Sequence, residues 1–285
     1  MKSIKTLAVG LGVLGALVAA PSSFAAPSLT FTDSASTTHV VNPFGGFDWA
    51  SNATAFATAL PFTAVNQTLA TTTTYLAQAA SIQLAGGGSS TPAGLGSLYE
   101  FTVKATIFET ATCLAFNGTF CNFALFTATG GNFDIYFSAT ANANIVNGTG
   151  FVDGTRIIGG SILASAFGAA GSFNATSATT GFGTFNFNAV VDFTETNASA
   201  AAYFAPALVA SNAIATLQIG GTQTAWTPPT RPNWGDGGTI GANDIVFQAD
   251  GNQTFTAAVP EPGTLALVGL SLAGLGLIRR RRAAT

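Results

Sequence analysis

Leu98-Tyr-Glu-Phe-Thr-Val-Lys-Ala-Thr-Ile-Phe108 sets Tyr99, Phe101, Val103, Ala105 and Ile107 against Glu100, Thr102, Lys104, Thr106 and Phe108 at alternate positions. Side chains of a strand point to opposite faces in turn, so a period of two predicts a strand with one buried face. The alternation recurs at Phe133, Ile135 and Phe137, and again at Phe185, Phe187, Ala189, Val191 and Phe193. Ala215-Thr-Leu217-Gln-Ile219 and Ile245-Val-Phe247-Gln-Ala249 repeat it. Gly- and Asn-rich turns separate the runs, and helical periodicity is weak. The reading is a mainly β body, an antiparallel β-sandwich or a barrel-like sheet. Glu100 and Glu109 are expected as solvated strand positions.

Toward the N-terminus, Leu29-Thr-Phe-Thr32 reads as a short strand and Asn42-Pro-Phe-Gly-Gly46 as a turn. Tyr75–Leu84 fits a strand or a weak helix. Gly86-Gly-Gly-Ser-Ser-Thr-Pro-Ala-Gly94 fits a flexible loop, or a sub-boundary at 86–94. The two cysteines are Cys113 and Cys121. A two-residue turn at Asn117-Gly118 would set Cys113 opposite Asn122. A three-residue turn over Phe116–Gly118 sets the cysteines opposite each other, close enough for a disulfide.

Both ends carry export signals. Met1–Ala25 reads as a signal helix: Lys2 and Lys5 charge its start, Leu7–Ala20 is apolar, and Ser23-Phe24-Ala25 presents small residues for cleavage between Ala25 and Ala26. At the other end, 259–285, Pro260 and Pro262 flank Glu261, the run Leu265–Ile278 lacks charge, and Arg279, Arg280, Arg281 and Arg282 close it. The prolines stop a helix from extending backwards. About fifteen helical residues reach about 22 Å, short of the ~30 Å hydrocarbon core, which suits a short transmembrane helix of temporary residence. The arginines place its end in the cytoplasm. The arrangement leaves residues 26–258 as the exported domain.

Within that domain Lys104, Arg156 and Arg231 face eleven acids, so it carries about −8 where the whole chain carries −3. A nucleic-acid partner needs clustered Lys and Arg and is excluded. Only 7% of the chain is charged, so Thr, Ser, Asn and Gly meet the solvent.

No catalytic constellation emerges. His39, the single histidine, reads as a surface residue, and no Gly-x-Ser-x-Gly nucleophile turn or phosphate loop accompanies it. Asp250-x-Asn252-x-Thr254 spaces oxygen ligands as a calcium loop begins, yet Phe255 stands where such a loop needs Gly. The competing reading is Asx-turns closing strand ends. No metal or cofactor is expected; calcium is the one left open. Asn-x-Ser/Thr sites occur at Asn52, Asn66, Asn117, Asn147, Asn174, Asn197 and Asn252, and glycosylation is left unassigned.

Pro260-Glu261-Pro262, the apolar helix and the Arg cluster resemble the PEP-CTERM sorting signal of Gram-negative bacteria. The resemblance implies processing by a membrane-embedded exosortase near the Pro-Glu-Pro, a transient stay in the inner membrane, and delivery to the cell surface or extracellular matrix. Phe247-Gln-Ala-Asp250, with Asn252 and Phe255, resembles the flocculation-associated PEP-CTERM proteins of the PepA type. That family's core is Gln-Phe-x-x-Asp, and here Val246 replaces the Gln. It implies a protein that helps cells flocculate with exopolysaccharide. The expectation is therefore a non-enzymatic surface or matrix protein promoting flocculation or biofilm formation, with Trp49, Trp226 and Trp234 as candidates for stacking on sugar rings. The alternatives are a surface-displayed carbohydrate-active enzyme and a permanently anchored membrane protein.

Overall fold

The computed structural model describes residues 26–164, 170–175, 181–191, 202–205, 212–219 and 226–256. The expected signal peptide, the sorting tail with its expected transmembrane helix, Asp192, Glu195 and Asn197 lie outside them. Among the described residues no helix is long and apolar enough to cross a membrane.

The strands are, in chain order, β1 Ser28–Thr32, β2 Thr38–Val41, β3 Phe44–Trp49, β4 Thr54–Ala57, β5 Thr68–Leu84, β6 Ser89–Ser90, β7 Glu100–Phe116 and β8 Cys121–Ser138. They continue as β9 Thr155–Ile162, β10 Ala170–Ala175, β11 Gly181–Val191, β12 Phe204–Ala205, β13 Asn212–Ile219, β14 Asn233–Trp234, β15 Gly238–Thr239 and β16 Ile245–Thr256. Tyr75–Leu84 is thus strand: the β-branched run Thr71–Thr74 leads straight into it, in one 17-residue β5.

The main sheet is antiparallel throughout and closes on itself. β5, β7 and β8 form a meander, and β11, β13 and β16 follow. β3 and β4 together fill the position between β16 and β5, a single stave broken at Ala50–Ala53. β9 and β10 likewise share the position between β8 and β11. Eight positions in a ring make a closed barrel, and the sandwich alternative falls away: closure pairs every long strand on both sides and leaves no edge. Curvature has local causes. Gly131 sits at φ 140° beside a register shift between β7 and β8, where a Cβ would collide with the Thr106 carbonyl.

One end of the barrel is plugged. The β12-β1-β2 sheet turns Leu29, Phe31 and Val41 inward. Phe31 meets Phe101 edge-on at 5.0 Å and Tyr99 and Phe137 at 4.9 and 5.4 Å, while Phe44 packs on Phe204 and Phe255. These tilted, edge-to-face and stacked pairs fill the plugged end with aromatic rings. The Gly86–Gly88 turn connects β5 to β6, which pairs back onto β5. The 86–94 stretch therefore lies inside a single compact unit, Ala26–Ala258.

A second apolar cluster lies on the outer face. Phe56 and Leu76 point away from the interior and are covered by Phe151, Trp234 and Ile240 from the segments 139–154 and 226–244. Polar anchors hold this strap. Glu100 accepts hydrogen bonds from the Asn142 and Ala143 amides and from Gln78 Nε2 at 2.7–3.2 Å. Asp236 accepts from the Phe151 amide, Asp244 accepts from the Ala59 and Gly241 amides, and Trp234 Nε1 donates to the Ile145 carbonyl. Glu100 is consequently fully buried, not solvated.

Candidate functional site

The hairpin between β7 and β8 carries the expected disulfide, Cys113–Cys121, with Cα atoms 5.7 Å apart. Its turn is four residues, Asn117–Phe120, not three. Asn117 Oδ1 accepts the Thr119 and Phe120 amides at 2.9 Å, and Gly118 takes φ 93°. Phe116 then pairs with Cys121, and bulges at Leu114–Phe116 bring Cys113 within bridging distance.

Two of the three tryptophans do not present rings to solvent. Trp49 is 3% exposed among the interior aromatics, and Trp234 is 0% exposed beneath the strap. Burial under covering segments removes both as sugar-stacking platforms. Trp226 is half-buried, with Nε1 donating to Thr54 Oγ1 at 2.9 Å. Among the described residues the exposed rings are phenylalanines: Phe108 on β7 at 49% and Phe182 on β11 at 51%, with Leu114 exposed near the hairpin. The alternation of Leu98–Phe108 already put Phe108 on the polar side, and that was the available signal. Around these rings β7, β8, β10 and β11 align a row Thr112, Leu125, Ser172 and Thr184. A second row runs Phe123, Asn174 and Phe182. Thr68 joins Thr112 through an Oγ1–Oγ1 hydrogen bond of 2.8 Å.

The segment around Phe247 and Asp250 is uninterrupted strand. β16 pairs with β13 over Asn212–Ile219 on one side and with β3 and β4 on the other. Phe247 faces the interior and is buried; Asp250 is half-buried on the outer face. Asp250, Asn252 and Thr254 follow one another along that outer face of a strand, so they form neither a calcium loop nor Asx-turns.

Polar groups are buried inside the barrel and beneath its strap, Glu109 and Glu100 among them against expectation. Glu109 is 2% exposed, inside the barrel, and accepts a 2.6 Å hydrogen bond from Thr73 Oγ1. Burial pushes its carboxyl up to about 7, with the Thr73 hydroxyl opposing. Burial also raises Glu100, against the amides that hold it. Tyr75 OH and Gln253 Oε1 are buried without a hydrogen-bond partner, and burial, with Asp250 and Asp48 adding, drives the Tyr75 phenol well above its ordinary value. His39 is not a free surface residue. Its Nε2 lies 3.0 Å from Asp33 Oδ2 and its ring stacks on Phe31 at 5.0 Å. That hydrogen bond, with those from the Thr37 and Ala35 amides, holds the Asp33 carboxyl below the usual range.

Fold and surface together define a closed, disulfide-clipped, hydroxyl-rich antiparallel barrel. Residues 258–282 match the family described as the PEP-CTERM protein-sorting motif. The matched stretch contains Pro260, Glu261, Pro262 and Arg279–Arg282, all outside the described residues. No curated protein and no solved structure matches the chain. The motif makes the chain an exosortase-targeted protein exported by a Gram-negative bacterium.

Proposed function

We propose that the barrel is a non-enzymatic matrix protein that, once processed by exosortase, binds exopolysaccharide and promotes flocculation or biofilm formation. The observation that carries this reading is the sorting motif, which starts two residues after the last barrel strand. The outer face of β7, β8, β10 and β11 supports it. Toward the disulfide hairpin its described residues are uncharged and rows bearing threonine, serine and asparagine cross the strands, with Phe182 in one row and Phe108 further along β7; Lys104 and Asp134 pair nearer the plugged end.

Hydroxyl rows exchange water for sugar hydroxyls at a net ~0.5–1.5 kcal/mol per hydrogen bond before ordering costs. Single contacts are therefore weak, and binding to a repeating polymer gains from many simultaneous engagements. The exposed phenylalanines add apolar area that a sugar ring's carbon face can cover.

The test uses three strains: wild type, a chain lacking 259–285, and Phe108→Ala/Phe182→Ala. The truncated strain is expected to lose flocculation. The double variant is expected to keep its fold and to bind purified exopolysaccharide about tenfold more weakly, roughly 1.4 kcal/mol. Unchanged flocculation without the tail, or unchanged polymer binding by the double variant, overturns the proposal.

A further inference from the structure

We infer that the plugged end of the barrel is the surface presented to the phospholipid bilayer while the sorting motif is being processed. The inference rests on the proposed exosortase processing and adds an orientation to it. β16 leaves the barrel at the plugged end: Thr256 pairs with Asn212, Thr254 pairs with Gly46, and Phe255 is buried against Phe44 with ring centroids 5.8 Å apart. Pro260 follows Thr256 by four residues. A chain spans at most ~3.3–3.6 Å per residue, so about 14 Å is the longest reach available. A 17-residue strand such as β7, tilted as in closed barrels, makes a body about 40 Å long. The disulfide-clipped hairpin at the opposite end is therefore beyond the tether. The chain also enters at the plugged end, where the Pro27 carbonyl accepts the Phe44 amide at 2.6 Å.

The outer face of the plug suits a lipid surface. β1 and β2 turn Leu29 and Phe31 inward and Thr30, Thr32, Thr38 and Val40 outward, with Val40 63% exposed. The 85–98 connection lies alongside, joined through Ser34 Oγ to the Leu98 carbonyl, and exposes Leu98. In 26–43 and 85–98 the acidic and imidazole side chains are Asp33 and His39, 3.0 Å apart, and the neighbouring β8–β9 connection adds the exposed Asp153. Asp192 and Glu195 belong to the β11–β12 connection and lie outside the described residues. A body of about −8 held against an anionic leaflet is repelled less when the sparsely charged β1–β2 and 85–98 surface leads.

The experiment follows cleavage near Pro260 by mass spectrometry in an exosortase-bearing host. Val40→Asp and Leu98→Asp are each expected to slow processing about fivefold, one charge brought to an anionic surface. A Gly/Ser linker of about 20 residues after Ala257, with a reach of about 25 Å, is expected to restore the rate. Phe108→Asp and Phe182→Asp, on the flank, should leave it unchanged. Wild-type rates in the plug variants, or no rescue by the linker, overturn the inference. If wild type itself is never cleaved, the processing reading fails, and orientation is then read directly. The full chain goes into phosphatidylethanolamine/phosphatidylglycerol vesicles for hydroxyl-radical footprinting. Protection of Val40 and Leu98, but not Phe108 and Phe182, sustains the orientation. Equal labelling of all four, or the same protection in lipid-free detergent from a second copy, refutes it.

Discussion

Replacing Glu109 by Gln should make the barrel more stable at neutral and alkaline pH than it is with its own residue. Glu109 is 2% exposed and lies inside the barrel, where Thr73 Oγ1 donates one hydrogen bond to it. Its carboxyl moves from 4.5 to about 7. At low pH the folded and unfolded chains both hold the proton, and nothing is lost. Between 4.5 and about 7 only the folded chain holds it, so each pH unit removes ~1.4 kcal/mol of stability. Above 7 the loss is complete, at about 3 kcal/mol. The amide carries no charge and can still accept from the Thr73 hydroxyl, so Glu109→Gln should flatten this slope. Its two N–H groups, neither with a partner, cost ~1 kcal/mol each, so the net gain at pH 8 is about 1 kcal/mol. The assay is urea denaturation of the disulfide-intact body at pH 4.5 to 8, followed by fluorescence of the buried Trp49 and Trp234. Other titrating groups are common to both chains, and the difference between them isolates Glu109. Parallel pH profiles for the two proteins, or a stability gap that narrows from pH 5 to 7, would refute the reasoning.

Cys113→Ser/Cys121→Ser opens a loop whose ends are eight residues apart; a loss of about 2.5 kcal/mol is expected from the chain entropy returned to the unfolded state, read as a lower urea midpoint. Trp234→Ala removes the largest fully buried side chain and should cost about 3–5 kcal/mol. Limited proteolysis should then cut first in the strap at 142–150, and a strap as resistant as wild type would contradict its assigned role. Asp33 is held below its ordinary range by His39 and two amides, so its stabilising contribution is present above pH 3.8 and fades as pH falls. Asp33→Asn should therefore lose that acid dependence, which thermal melts between pH 2.5 and 5 would register.

What could be read from the chain unaided was what depends on near neighbours. Alternation over Leu98–Phe108 dictates a strand because consecutive side chains must face opposite ways, whatever the strand pairs with. The same pattern put Phe108 on the outer side. Asn117-Gly118 between two cysteines dictates a clipped hairpin, and the sorting motif is a short contiguous stretch. What needed the tertiary structure was everything set by partners distant in sequence. Asn252 pairs with Asp48 and so helps close the barrel, a pairing across about two hundred residues that no local period announces. The strap from 139–154 and 226–244 decides that Trp234 and Glu100 are covered, and ring closure decides that the Ile107 face of β7, which carries Glu109, is enclosed. Burial is a property of the assembled surface, and a residue's own neighbours in the chain do not specify what will lie over it.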